Sequence, residues 1–461
     1  MKPKDLNSII QIILIGNIQM EFKDRKKETE EINGMLDSKS FELLILYGRR
    51  RVGKTELILH STKGRKRVYY LATEEKNLDR FYDVCADFDK EILSLKKDFE
   101  VLFGYLKDKA EVIIIDEFQN MIKENPNIVS LFQSIVDTKL KESGVKLILL
   151  GSSVSIISSK VLSYKSPLYG RRTGSIKLKP VLFFDLKEFF PNSSMEELAE
   201  IYGFADGIPY YLVKIAPPFW TWIEAELKHE KSFLRDEVDF LMRYEFENPS
   251  TYRIILEAIA NGKTKLNEIR EFAKLQRTDL SPYIRNLIEV NLIKREVPIN
   301  ENLKSRNGRY YLNDNFLKFW FKFIYPNLSS IESGVFGVGS IKKAYSEYMG
   351  FIFEKISKQY LIKSNFFKFS KIGKWWHQDK EIDIIAINEQ EESMLMGECK
   401  WQKDISAEKI ARELSEKAEY LEWHNSKRKE TYAIFAKSFT KKISEFEGKK
   451  VCCFDLNDMQ N

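Results

Sequence analysis

The sequence predicts an α/β fold: a parallel sheet whose strands alternate with helices, continued by a mainly helical region and a second α/β unit. Three observations carry this reading. An apolar run at 41–47 is followed by Gly48-Arg49-Arg50-Arg51-Val52-Gly53-Lys54-Thr55, after which Glu56-Leu57-Ile58-Leu59 opens a helix. A β-branched run, Val112-Ile113-Ile114-Ile115, ends in two carboxylates, Asp116 and Glu117. Strand-like runs at 67–71 and 145–150 are separated by helical stretches, the rhythm of a parallel sheet covered on both faces.

Strand, G-x-x-x-x-G-K-[ST], helix is the arrangement of a phosphate cradle, so the sheet is expected to be of the P-loop NTPase kind. Gly48 and Gly53 let the backbone turn tightly, and the N–H groups of Arg49, Arg50, Arg51 and Val52 then line the loop. Lys54 is placed to reach the β- and γ-phosphates and Thr55 to ligate Mg²⁺, with the helix N-terminus adding a favourable dipole. Asp116 is placed to complete the Mg²⁺ shell through water, and Glu117 to polarise the water that attacks the γ-phosphate. ATP is expected rather than GTP, because no N-K-x-D guanine-reading motif is present.

Ligands of such sheets bind at the carboxyl ends of the strands. The fourth strand ends at Gly151-Ser152-Ser153. Ser152 is expected there either as a sensor of the γ-phosphate or as a plain turn serine. Gly170-Arg171-Arg172 offers Arg171, which reaches the triphosphate from the same subunit or a neighbour, or else belongs to a solvated basic turn.

At 461 residues the chain is long enough for two to four domains, each with its own core. Hydrophobic content of 43% with 31% charged residues is that of a globular protein. Cys85, Cys399, Cys452 and Cys453 show no C-x-x-C spacing and histidines number four, so free thiols in the cytoplasm are expected and a zinc site is not. The apolar stretch 9–15 is too short for a membrane span, which needs about 20 residues, and reads as a short docking helix or strand. Residues 248–330 hold 14 Lys or Arg against 8 Asp or Glu, an excess equal to the +6 of the whole chain. Such a local excess points to DNA or to solvated surface.

The expected divisions are an N-terminal segment (1–21), the ATPase domain (22–205), a helical lid (206–250), a winged helix-turn-helix (251–326), a linker rich in Ser and Gly (327–340) and a C-terminal unit (341–461). In the winged helix, helices at 251–261, 266–275 and 279–290 precede strands at 292–297 and 309–312. The third helix would read DNA with Arg277, Ser281 and Arg285, or the module contacts protein instead. The aromatic stretch 315–325 is core.

In the C-terminal unit, 381–387 and 394–401 flank a polar turn. If Ile387 pairs with Met394, Asp383 faces Glu398, and Lys400 shares a strand face with Glu398. Glu354 is available from the preceding helix. Carboxylates so placed bind a second Mg²⁺ or Mn²⁺, with Lys400 beside the hydrolytic water; the alternative is an exposed charged face.

The order of these features resembles the archaeal ATPase family, a group within the STAND class of AAA-like P-loop ATPases. Beyond the phosphate loop, the likeness rests on Phe22-Lys23-Asp24-Arg25, Ile115-Asp116-Glu117-Phe118, Gly151-Ser152-Ser153, Tyr169-Gly170-Arg171 and Gly207-Ile208-Pro209. It continues through Lys294-Arg295-Glu296-Val297-Pro298-Ile299 and Arg309-Tyr310-Tyr311 to Phe319-Trp320-Phe321. It implies that Pro209 packs near the adenine. It also implies a restriction-endonuclease-like C-terminal domain of the PD-(D/E)xK type, matched by Gly350-x-x-Phe353-Glu354, Asp383 and Glu398-x-Lys400. Ile382 stands where that motif has its proline.

Together these features predict a Mg²⁺-dependent ATPase, with a homo-oligomer as one expectation and DNA as the partner of a nuclease-like domain. The alternative is an ATP-gated signalling or assembly scaffold whose C-terminal domain binds nucleic acid without cutting.

Overall fold

A computed structural model describes residues 22–246, 248–275, 279–425 and 427–460. The stretch 9–15 and Arg277 lie outside the described residues. Strands β1 (Glu42–Tyr47), β2 (Arg67–Leu71), β3 (Val112–Asp116), β4 (Lys146–Gly151) and β5 (Gly174–Lys177) form one sheet in the order β2-β3-β4-β1-β5. Every pairing is parallel. β3 and β4 are buried along their whole length, as continuous apolar strands must be when helices cover both faces. Alternation along the strands sorts the side chains. Ile45, Ile113, Ile115 and Leu149 enter one core with Phe103, Phe118 and Phe132. Leu44, Leu46, Ile114 and Ile148 enter the other with Leu57 and Ile58 of α1 (Lys54–Ser61).

Register sets the working edge. Tyr47 lies opposite Gly151, and Leu71 opposite Asp116. The loop after β1, Asp116 at the end of β3 and Ser152 just beyond β4 therefore leave the sheet together. Helix α2 (Phe118–Glu124) starts immediately after Glu117.

Beyond the sheet the chain is mainly helical as far as α3 (Glu237–Glu245). Helices α4 (Pro249–Ala260), α5 (Leu266–Phe272) and α6 (Ser281–Glu289) follow, then an antiparallel ribbon of β6 (Ile293–Glu296) and β7 (Arg309–Leu312). Helix α7 (Asn315–Phe319) continues into a π turn, Trp320–Ile324. The stretch 327–340, expected as a linker, instead holds a helix at Leu328–Glu332 and the start of α8 (Val338–Ser364), the long helix of the C-terminal unit. Ile331 is buried there, and this apolar contact is what the Ser and Gly content conceals.

In the C-terminal unit, β8 (Lys371–His377), β9 (Lys380–Asn388) and β10 (Ser393–Lys400) run antiparallel. A short pair, β11 (Ile405–Ser406) with β13 (Phe439–Lys441), brackets α9 (Ala407–Ala418) and β12 (Lys429–Ala436). With β14 (Glu445–Phe446) and β15 (Lys449–Phe454) the main sheet reads β14-β15-β12-β10-β9-β8. Ile387 pairs with Met394, the expected register. One face packs on α9 through Ile385, Met396, Ile410 and Leu414. The other joins a core that runs from Val181 through Phe204, Phe316, Phe319 and Ile352 to Phe435. The units expected to have separate cores thus share this one, because the aromatic face of α7 and the apolar face of α8 fill the same space. Cys85, Cys399, Cys452 and Cys453 are free thiols.

Candidate active site

At the carboxyl edge of the sheet, Gly53 caps α1 with φ +88°, a left-handed conformation open to glycine at no steric cost. Lys54, 6% exposed, folds back so that Nζ donates to the carbonyls of Gly48 (2.9 Å) and Arg49 (3.0 Å). Burial pushes its pKa below the ordinary lysine value, against the pull of Glu117 and Asp116. Thr55 Oγ1 donates to Asp116 Oδ2 at 2.6 Å, and the Tyr69 hydroxyl donates to the same oxygen at 2.9 Å. Asp116 is 2% exposed; burial first and the charge of Glu117 second push its pKa up. A hydroxyl and a buried carboxylate meeting beside a phosphate loop suit a hard cation such as Mg²⁺.

Glu117 adopts φ +55°, unusual for a residue with a side chain and common at active sites. Its carboxylate accepts from Ser152 Oγ at 2.5 Å and from Gln119 Nε2, while Gln119 Nε2 also donates to Ser152 Oγ at 3.0 Å. Glu117, Gln119 and Ser152 therefore form one network fit to hold and polarise a water. Ser152 is thus hydrogen-bonded to both Glu117 and Gln119 at the carboxyl edge of the sheet.

The three loop arginines point outward, each to a different partner. Arg49 pairs with Asp314. Arg50 lies 3.6 Å from Glu117 and 3.7 Å from Glu245 of α3, with its guanidinium 3.2 Å from the centre of the Tyr244 ring. Arg51 pairs with Glu237 at the start of α3, and its guanidinium lies 4.2 Å from the Tyr210 ring centre. Between Arg49, Arg50, Ser152 and Glu245 about 20 Å³ remains open. Pro209 sits against the loop: a Cβ on Gly53 would come within 3.9 Å of its Cγ.

Arg171 is not brought to the loop. It donates to Asp137 (Nη2 to Oδ2, 2.9 Å) and to the carbonyl of Pro167 (3.1 Å). The sequence reading missed Tyr69, Gln119, Glu237, Glu245 and Asp314. Only Gln119 carried a local signal, its spacing of two from Glu117.

In the C-terminal unit, Asp383 Oδ2 accepts from the Cys399 amide at 2.8 Å. Burial, then the charges of Glu354 and Glu398, hold its pKa well above the carboxylate range. Glu398 accepts from Lys400 (2.8 Å) and Lys417 (2.9 Å), and Glu354 pairs with Lys374. The expected residues therefore do gather, but with three lysines among them. Among the described residues no group of three or more His, Cys, Asp or Glu is arranged to hold a metal ion. No described helix is long and apolar enough to cross a membrane.

A phosphate loop, a buried aspartate and a glutamate tied to Ser152, all at one edge of a parallel sheet, define a P-loop ATPase. Residues 22–215 match the ATPase domain predominantly from Archaea, and residues 320–414 match a family described as archaeal and bacterial proteins of unknown function. The chain belongs to the same family as an uncharacterized protein of Methanocaldococcus jannaschii, 51% identical over 444 residues, covering 95% of this chain and 99% of that one. An uncharacterized ATP-binding protein of the same organism is 26% identical over 172 residues, 33% of this chain and 44% of its own length. A Walker-type ATPase of Pyrococcus abyssi shares the fold with a TM-score of 0.51 and 22% identity, over 66% of this chain and 97% of that structure. The chain is an ATP-binding ATPase.

Proposed function

We propose that ATP binding and hydrolysis set the position of the lid and, through it, the state of a DNA-associated, nuclease-like C-terminal unit. The observation that carries this reading is the outward reach of Arg49, Arg50 and Arg51 to Asp314, Glu245 and Glu237. A loop that shifts when phosphates enter shifts three charged ties at once, two on α3 and one just before α7, whose core continues into α8. In hydrolysis, Lys54 neutralises charge on the phosphates, Thr55 and Asp116 hold Mg²⁺, and Glu117 with Ser152 orients the water. Pro209 borders the base. Asp383 and Glu398 are the metal ligands of the second site and Lys400 stands beside its water, with 251–326 as the winged helix.

A second reading, the ATP-gated scaffold that binds nucleic acid without cutting it, is favoured by the pairing of both Glu398 oxygens with Lys400 and Lys417. The deciding experiment incubates the full chain with plasmid DNA, Mg²⁺ or Mn²⁺, and either ATP or a non-hydrolysable analogue. Metal-dependent cleavage that responds to the nucleotide supports the first reading; intact DNA under every condition supports the scaffold.

A further inference from the structure

Six cationic side chains, Lys265, Arg270, Arg295, Lys304, Arg306 and Arg309, line one groove of about 860 Å³ between α5, the loop joining β6 to β7, and the β8–β9 turn. No carboxylate is among its described lining residues. Three of the acids beside it are engaged, while Asp379 is exposed on the β8–β9 turn with no ion pair among the described residues. Glu381 pairs with Arg309 at 2.7 Å, Glu268 accepts the amides of Thr264 and Lys265, and Glu301 accepts from Ser305 and Asn307. Arg270, Lys304 and Arg306 have no ion pair among the described residues.

The groove is built, not a frayed charged tip. Arg295 donates from Nη1 to the Leu303 carbonyl at 2.7 Å and from Nη2 to the Ser305 carbonyl, so the loop folds over its guanidinium. Gly308 makes this possible: a Cβ there would stand 2.2 Å from Arg295 Nη2. Both ends of the loop are pinned to β8. Trp376 Nε1 donates to the Asn307 carbonyl at 3.1 Å, the Arg309 guanidinium lies 4.5 Å from the Trp376 ring centre, and the Ile299 amide donates to the Lys374 carbonyl at 2.9 Å. Lys304 and Arg306 are exposed on this fixed loop.

We propose that this groove holds the phosphodiester backbone of a nucleic acid, crossing from α5 over the loop to the β8–β9 turn. The proposal deepens the DNA-associated reading above and rests on it, but moves the contact away from α6. The outer surface of α6 around Arg285 is mixed, with Ile288 and Glu289 beside it, whereas clustered cations match a line of phosphates. Trp376 and Tyr310 are buried, so the groove takes the backbone and does not stack bases. The track has a direction. Trp376 pairs with Glu381 across β8 and β9, and Asp383 is two residues further along β9, about 7 Å at a strand's rise. A backbone in the groove runs toward the Asp383–Glu398 cluster.

The test measures anisotropy of a labelled DNA duplex, and of a single strand of the same sequence, titrated with the full chain across a KCl series. Lys304→Glu with Arg306→Glu should weaken binding of the parent's preferred form by about tenfold or more at low salt. It should also reduce the slope of log K against log[salt] by about two, near 0.9 per lost phosphate contact, while basal ATPase activity stays at the parent's level. Lys304→Gln with Arg306→Gln reports the same slope should the Glu pair fail to fold. A parent that binds neither DNA form overturns both the groove and the DNA-associated reading and leaves the ATPase intact. A double variant with the parent's affinity and slope, with the loss appearing in Arg285→Glu instead, overturns the groove alone.

Discussion

Arg49, the first variable residue of the phosphate loop, forms a buried ion pair with Asp314, 265 residues further along the chain. The aspartate is wholly covered, and it also caps α7 by accepting from the Leu317 amide at 3.1 Å. Burial works against the guanidinium charge, and Asp314, helped by Tyr211 and Asp206, more than restores it, leaving the pKa of Arg49 above its ordinary value. The Arg49 carbonyl meanwhile accepts from Lys54. One residue thus ties the phosphate-binding lysine to the helix that leads into the C-terminal unit.

Removing one partner strands the other charge. Asp314→Ala should destabilise the chain by about 3–5 kcal/mol, while Arg49→Met combined with Asp314→Leu should recover most of the loss. Urea unfolding of Arg49→Met, Asp314→Leu and the double variant checks this. Losses that simply add would show that the two side chains are not coupled.

Nucleotide chemistry separates the roles of two further residues. Lys54→Ala removes charge from the phosphates and should weaken ATP binding about ten- to a hundredfold, the worth of a charged hydrogen bond. Glu117→Gln should bind ATP like the parent and lose turnover by about 10²–10⁴-fold, because only the water-polarising group is gone. Equilibrium binding of a fluorescent ATP analogue beside a phosphate-release assay distinguishes them. Comparable loss of binding in both variants would overturn the assignment.

The phosphate loop, Asp116 and Glu117, Ser152 and the register of the C-terminal hairpin were legible because each depends on residues close in sequence. A glycine pattern, a β-branched run and a period of two report local geometry directly. The partners of the loop arginines were not legible, since Glu237, Glu245 and Asp314 meet the loop only through the packing of α3 and α7. The same holds for Arg171: its basic turn was visible, but not its pairing with Asp137. Nor did the Ser and Gly content of 327–340 disclose that Ile331 would anchor a helix there.

A charged side chain placed among like charges gives a pH prediction. Lys318 Nζ lies 3.0 Å from the Phe351 ring centre, and Lys374 approaches the same ring at 5.1 Å. Burial above all lowers the Lys318 pKa well below its ordinary 10.5; Glu354 opposes this, and Lys374, Lys322 and Lys294 add to it. Between the lowered value and 10.5 the unfolded chain binds the extra proton, so this group makes stability rise with pH across that window. Lys318→Met should raise the melting temperature at neutral pH and flatten its rise toward pH 10. A parent whose melting temperature shows no difference in slope from the variant would refute the assignment.

The proposed second metal site makes the sharpest demand on the C-terminal unit. Lys400 and Lys417 hold opposite oxygens of Glu398, so their ammonium groups occupy the positions from which that carboxylate would bind a cation. A divalent ion entering beside Asp383 must displace at least one of them, and it competes with protonation of Asp383, whose pKa is raised by burial and by the charges of Glu354 and Glu398. Mn²⁺ titrated into the full chain by calorimetry should therefore release protons, seen as a binding heat that depends on the buffer. Lys417→Ala should tighten Mn²⁺ binding by removing a competitor, and Asp383→Ala should abolish it. Lys400→Ala should also spare the ion, and it should lose any cleavage of DNA if the proposed role of Lys400 at the attacking water holds. If Asp383→Ala binds Mn²⁺ as well as the parent does, the carboxylates are not its ligands and their lysines are structural partners.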